Sequence, residues 1–326
     1  MRQLGTMTII SNCTVSVIKD ATASLIEGNL VAFPTETVYG LGADASNQQA
    51  VARIYEVKGR PADHPLIVHI STVNNLDRWA KDIPGYAVKL ARAFWPGPMT
   101  LILPRTKLAK DFITGGQDKV GIRVPAHTVA LSLIKEFEAQ NGYGIAAPSA
   151  NRFGKVSPTS ANDVKAELSD YLSPTDLILD GGPCVVGIES TIIDCTQKLP
   201  VIIRPGDVST ETIEDLLLIK LPTFNTRSNK IKAPGLLTTH YSPNAKLFLT
   251  GTPAPGDGLI ASIGFKTPDG VIRLASPKNN ADYARTLYNA LRQGDALGIK
   301  NIYAVPAEDF GIGIAINDRL KKAANK

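Results

Sequence analysis

An α/β fold with a mixed sheet, followed by a smaller second α/β unit, is what the sequence predicts. Three observations carry the prediction. Apolar runs of strand length alternate with segments whose apolar residues recur near the helical period. Two pairs of those runs, Thr100–Leu103 with Val120–Val124 and Thr191–Ile193 with Val201–Ile203, follow each other with no helical pattern between, which argues against a purely doubly wound parallel sheet. After about Leu218 the chain turns polar and proline-containing for about 25 residues, long for a connection inside a compact unit, before strand-like runs resume.

In order, the strand-like runs of the first unit are Leu30–Phe33, Leu66–Ile70, Thr100–Leu103, Val120–Val124, Gly144–Ala147, Leu177–Leu179, Thr191–Ile193 and Val201–Ile203. Between them, NQQAVARIYEVKG sets Val51, Ile54, Tyr55 and Val57 on one helical face. PGYAVKLARAFWPG and VALSLIKEFEAQNG behave alike, and all three end near a glycine, as helix C-caps often do. Ser157 or Thr159 is placed to cap a helix over Ala161–Leu168. Beyond the polar stretch, Lys246–Leu249, Gly258–Ile263, Val271–Leu274 and Ile302–Val305 read as strands, and NNADYARTLYNALRQ and IAINDRLKKAA as helices. The expected division is therefore residues 1–218, a linker at 219–244, and a small unit at 245–326.

Of the 326 residues 44% are hydrophobic and 20% charged, the balance of a globular chain with a core. The net charge of +5 fits anionic partners such as nucleotides or RNA, although the cations are scattered singly. Cys13, Cys184 and Cys195 make neither a disulfide framework nor a metal-binding CxxC. No signal-peptide pattern and no apolar run near the ~20 residues of a membrane helix is present, so a cytoplasmic protein without a membrane partner is expected.

The residues that could carry chemistry gather near strand ends. FPTETVYGLGADA places two threonine hydroxyls, a glutamate and two glycines after an apolar run, either a tight strand-to-helix turn or a ligand-holding one. In KGRPADHPL, Lys58 and Arg60 flank a chain reversal at a helix end. They complement the helix dipole or hold a polyphosphate, with the arginine fork suited to phosphate oxygens. His69 lies in an apolar strand, and Arg123 sits inside another, where it needs either a protein or a substrate carboxylate. AAPSANRFGKVSPTS adds short hydroxyl and amide groups, DGGPCVVGIESTIID adds Glu189, Ser190 and Thr191, and IIRPG ends a strand on Arg204. No GxSxG, HExxH or metal cage is found. Isolated cations among hydroxyls and glycines suit positioning an anionic substrate, as in nucleotidyl transfer.

Together these stretches, with FWPGPMTLIL, VGIRVPAH, APGLLTTHYSPNA and GIGIAINDRLKKAA, resemble in family order the YrdC-like threonylcarbamoyl-AMP synthases in their long, two-domain form. The resemblance implies a three-layer domain with a twisted mixed sheet and a deep basic cavity, plus a small C-terminal α/β, Rossmann-like domain. It implies a nucleotidyltransferase that joins L-threonine, bicarbonate or CO2 and ATP with release of pyrophosphate, Mg2+ accompanying the ATP. The product would feed threonylcarbamoyladenosine formation in tRNA, with tRNA or tRNA-modification enzymes as partners. It further implies an L-threonine pocket of Thr37, His69, Arg123, Ala147 and Ser190, with Arg123 on the substrate carboxylate. Lys58, Arg60 and Arg204 would face the ATP phosphates, while His64, Lys119, Ser149, Asn151, Ser157 and Tyr241 complete the ATP set, Tyr241 as part of a lid. No residue is implied as a protein-held metal ligand or as a general base. The chain departs from the family pattern at His64, usually asparagine, at Lys119, often threonine, and in a linker poorer in basic residues. Two other readings remain at this level: an RNA-binding module without catalysis, and a related carbamoyl-transfer enzyme of the same fold.

Overall fold

The computed structural model describes residues 9–10, 12–222 and 232–325. The first unit runs β1 (Ile9–Ile10), α1 (Val15–Ile26), β2 (Val31–Phe33), β3 (Gly40–Asp44), α2 (Gln48–Lys58), β4 (Ile67–His69), α3 (Leu76–Trp79), α4 (Gly85–Phe94), β5 (Met99–Pro104), α5 (Asp111–Thr114), β6 (Lys119–Arg123), α6 (Thr128–Ala139), β7 (Ile145–Ala146), α7 (Ala161–Leu168), β8 (Leu177–Leu179), β9 (Thr191–Asp194), β10 (Val201–Arg204) and α8 (Thr210–Leu217). The second runs β11 (Lys246–Phe248), β12 (Gly258–Ile260), β13 (Ile272–Ala275), α9 (Asn280–Ala296), β14 (Asn301–Ala304) and α10 (Ile312–Ala324).

The first ten strands form one sheet in the order β1-β8-β2-β3-β7-β4-β6-β5-β9-β10. It is mixed: β5 runs antiparallel to β6 and β9 to β10, the two pairs the sequence joins without a helix, while β4 and β6 are parallel. Successive residues of β2 point to opposite faces. Ala32, with Leu30 just before the strand, packs into a core with Val51, Ile54, Leu90 and Val164 from α2, α4 and α7. Val31 and Phe33 pack with Ile18, Leu25, Leu133 and Phe137 from α1 and α6 on the other side. Period-two burial on both faces makes the sheet the middle of three layers. The second sheet, β11-β14-β12-β13, is parallel throughout, and its core joins Leu287, Leu291, Ile316 and Leu320 of α9 and α10.

Each strand-like run of the sequence overlaps an observed strand, but two strands were not foreseen. β1 is only two residues long, and β3 lies inside FPTETVYGLGADA, which therefore forms a strand-turn-strand rather than a strand-to-helix turn. Its Gly-Leu-Gly composition hides a strand because the sheet needs the missing side chain. A Cβ at Gly42 would lie 2.7 Å from the Phe33 ring and 2.8 Å from Ile145. Helix ends differ as well. Of the three helices expected to end near a glycine, α2 alone has a left-handed glycine as its cap, Gly59; α4 ends at extended Trp95 and α6 at Gln140, with the positive φ taken by Asn141. The cap of α7 is Ser160, in a reciprocal pair with Asp163, whereas Ser157 turns inward. Of the linker stretch 219–244, residues 223–231 lie outside the described residues.

Candidate active site

The β2–β3 turn begins the site. Thr35 Oγ1 gives its one proton to the Val38 carbonyl at 2.6 Å and accepts from the Thr37 and Val38 amides. Thr37 Oγ1, 2.9 Å from Thr35 Oγ1, must then be the donor of that pair, and it accepts from Arg123 Nη2 at 2.9 Å. One lone pair of Thr37 is left for a ligand N–H. Arg123 stands beside His69 because β4 and β6 pair in register at those two residues.

The second contribution is the end of α2. Gly59 at φ +60° stops the helix, so that Lys58 and Arg60 leave in different directions. Arg60 Nη2 donates to Pro65 O at 3.0 Å, its Nε has no partner, and its carbon lies 5.8 Å from the Phe153 ring centre. Burial pulls its pKa down to about 10. Arg204, at the end of β10, is held differently. It clamps the Ser190 carbonyl with Nε and Nη2, touches Ser190 Oγ, and reaches Pro234 O at 2.8 Å with Nη1.

These elements surround a cavity of ≈ 50 Å³ that Pro234, Gly235, His240 and Tyr241 cover. Tyr241 has φ +62° and a buried hydroxyl without a partner, and Gly235 is required beneath it because a Cβ there would meet that oxygen at 2.2 Å. Burial drives the pKa of His69 and of His240 down to about 3, so both rings are neutral. His69 Nδ1 has no partner, and His240 Nδ1 accepts from the Tyr241 amide at 3.0 Å. Unpartnered buried atoms of Arg60, His69 and Tyr241 thus share one wall-lined space, which is the mark of a site built for a ligand.

Thr37, His69, Arg123, Ala147 and Ser190 line this cavity, and so do Arg60, Ser149, Arg204 and Tyr241. The remaining residues of the expected ATP set lie elsewhere. Lys58 is buried with its ammonium on the Ser149 and Asn151 carbonyls, and it lines a neighbouring cleft with Arg152 and Ser242. Asn151 donates to the Arg152 and Lys155 carbonyls, and Ser157 donates to Glu189 at 2.6 Å, so both brace loops. His64 lies edge-on to Phe153, its pKa pushed below the ordinary value by burial and then by Arg60. Lys119 lines a separate pocket with Gln117, Lys232 and Pro234.

Arg123 brings a correction to the idea of a free guanidinium awaiting a substrate carboxylate. Glu36 Oε1 lies 2.8 Å from its Nη2, both residues being buried. The contact is one of charge: neither Glu36 oxygen is aligned to accept a hydrogen bond. Glu189 was likewise missing from the expected site. It lines the cavity, accepts from Ser157 and from Tyr288 of α9, and is ion-paired with Arg319 of α10 at 3.0 Å. Burial opposes its ionisation, but Arg319 and then Arg204 overcome that and hold its pKa at about 2. Arg319 did leave a trace in the sequence. It falls on the apolar face of α10, three and four residues after Ile316 and Ala315, and an arginine there requires a buried acid.

Two family models cover most of the chain. The Sua5/YciO/YrdC model, described as "Telomere recombination", matches residues 23–206, and the "Threonylcarbamoyl-AMP synthase, C-terminal domain" model matches 208–325. A threonylcarbamoyl-AMP synthase of Pyrococcus abyssi is 42% identical over 98% of both chains. One of Bacillus subtilis is 40% identical over 94% of this chain and 92% of its own. A crystal structure described as P. abyssi Sua5 complexed with L-threonine superposes with a TM-score of 0.86 at 39% identity, covering 98% of each chain. With both halves matched in order, the chain belongs to the two-domain threonylcarbamoyl-AMP synthase family.

Proposed function

We propose that this protein makes threonylcarbamoyl-AMP from L-threonine, bicarbonate or CO2, and ATP, releasing pyrophosphate, as the supply for threonylcarbamoyladenosine in tRNA. The observation that carries the reading is the cavity beside Thr37 and Arg123, in a chain that matches a threonine-complexed relative over almost its whole length. The threonine amine, deprotonated, adds to CO2: the N–C bond forms, one C=O π pair passes to oxygen, and an N–H proton leaves to solvent, giving a carbamate. A carbamate oxygen then attacks the α-phosphorus of ATP, and the bond to the β-phosphate oxygen breaks.

The charge pattern supports different tasks for the three arginines of the cavity. Glu36 offsets Arg123, so what Arg123 brings to the threonine carboxylate is directed N–H donors rather than net charge. Arg204 is committed to Ser190 and Pro234 and holds the threonine side of the pocket in shape. Arg60 keeps most of its donors uncommitted, which makes it the phosphate-facing cation. Lys58 acts by fixing the Ser149–Asn151 loop. Mg2+ enters as the counter-ion of the ATP phosphates; among the described residues no three His, Cys, Asp or Glu side chains gather to hold a metal ion.

A cavity of ≈ 50 Å³ has room for a few waters at about 10–15 Å³ each, not for ATP. Entry of ATP therefore requires Pro234–Tyr241 to move aside, which gives that segment the role of a lid. The test is pyrophosphate release from ATP and bicarbonate with and without L-threonine. Threonine-dependent release supports the reading; an ATP turnover indifferent to threonine, or none, refutes it.

A further inference from the structure

The C-terminal unit is joined to the cavity by a buried ionic network that the reaction scheme does not use. Arg319 has no solvent exposure and four polar partners: Glu189 Oε2 at 3.0 Å, Glu189 O at 3.5 Å, Pro205 O at 2.8 Å and Asp318 at 2.9 Å. Its carbon lies 5.5 Å from the Tyr241 ring centre. Asp318 also binds Lys322, which donates to Gly235 O at 2.8 Å, and the His240 amide donates to Lys322 O. Tyr288 of α9 donates to Glu189 and stacks on Tyr241 at 5.7 Å. Two helices of the second sheet thus hold both the Glu189–Ser190 turn and the segment that covers the cavity.

We propose that Arg319 is a positioning residue of the active site, acting through Glu189 to fix the Ser190 end of the threonine pocket, so that the C-terminal unit completes the catalytic site in cis. This rests on the activity proposed above. Glu189 lines a cavity meant for a carboxylate and a triphosphate, where an unbalanced negative charge would repel both. Arg204 alone cannot balance it, because its donors go to Ser190 and Pro234 and none to the Glu189 carboxylate. Arg319 supplies the opposing charge and its hydrogen bonds, while Ser157 and Tyr288 fill other acceptor positions. Ser190 follows Glu189 directly, so the orientation of the pair is passed to the Ser190 hydroxyl, 2.8 Å from Thr100, and to the carbonyl that Arg204 grips.

Without Arg319 the Glu189 carboxyl stays buried with Arg204 as the remaining cation acting on it and Tyr241, Tyr288 and neutral His240 around it. Its protonation then moves from far below the working range toward neutral pH. The experiment measures initial rates of threonine-dependent pyrophosphate release by the full-length chain from about pH 5 to pH 8. It compares wild type, Arg319→Met, Arg319→Lys and the double variant Glu189→Gln with Arg319→Met, and records thermal unfolding of each.

In Arg319→Met the expected result is a loss of at least about tenfold in kcat/KM at neutral pH, with a new limb in the acidic range on which the rate falls as pH rises and Glu189 takes on its unbalanced charge. The double variant loses that limb because no carboxyl remains to titrate. Arg319→Lys keeps the charge but cannot serve Glu189, Pro205 and Asp318 together; it is slower than wild type and shows no limb. Should Arg319→Met not fold, Arg319→Lys decides: rates equal to wild type at every pH overturn the proposal. A folded Arg319→Met within about twofold of wild type overturns it, as does a uniform loss without a limb, which means domain docking alone. An inert wild-type chain refutes the activity itself, a different result from an active wild type with an unaffected variant.

Discussion

Arg60 has five N–H donors, and one hydrogen bond to the Pro65 carbonyl is all that the described residues take from them. Among the arginines of the cavity it therefore has the least structural duty and the most to offer a ligand. Arg60→Met should lower threonine-dependent pyrophosphate release by about a hundredfold, the scale of losing one directed donor set on developing charge. Its thermal midpoint should stay within a few degrees of wild type, because no network collapses. Normal rates in Arg60→Met would move the phosphates elsewhere in the cavity. The sequence showed Arg60 as a cation at a helix end beside a glycine and a proline. It could not show that Lys58, two residues earlier, points to the Ser149 and Asn151 carbonyls instead, because that depends on Gly59 turning left-handed and on where the loop after β7 returns. Glu36 was equally visible and equally ambiguous. Its pairing with Arg123 links a turn to a strand 87 residues further on, a contact set by sheet order rather than by any local pattern.

At the scale of elements, β2 and β3 approach so closely to β7 that Gly42 has no room for a methyl group. Gly42→Ala should cost about 1–3 kcal/mol, the usual penalty for overpacking a filled core, as read by urea unfolding. Gly85, the first residue of α4, is the opposite case. A Cβ there would meet no atom within 4 Å and its φ is ordinary, so Gly85→Ala should stabilise by up to about 1 kcal/mol. The reverse ranking of the two variants would mean that the hairpin relaxes. These glycines also explain what was legible. The apolar strands β2, β4, β5, β6, β8, β9 and β10 announce themselves by β-branched and aliphatic runs, and α2 by its period. β3 does not, since close sheet packing selected glycine where a propensity argument looks for valine. Helix ends were read poorly for a related reason: Trp95 and Asn141 end or follow their helices through tertiary context, with no glycine at the cap.

At the scale of the whole molecule, the four histidines share one property: burial is the leading cause that pushes the pKa of His64, His69, His127 and His240 below the ordinary value. Neutral in the fold, they take up protons when the chain unfolds, so stability is complete above about pH 6.5 and falls as pH drops toward about 3. Asp207, whose pKa burial raises, works weakly the other way. Glu189 adds nothing to this slope above its unfolded value near about 4.3, and its contribution is lost only as pH falls through about 2. Urea midpoints measured near about pH 7.5, 6 and 5 should decline in that order, and His240→Gln should flatten the decline. A flat wild-type profile would mean that the buried rings accept protons without unfolding. The ion pair between Glu189 and Arg319 spans 130 residues of chain. A ribosome making this protein has therefore laid down the entire ten-stranded sheet long before the guanidinium that quiets its buried acid has been translated. Under the role proposed for Arg319, the first unit reaches its full rate only after the helix bearing that residue has been translated and has packed against it.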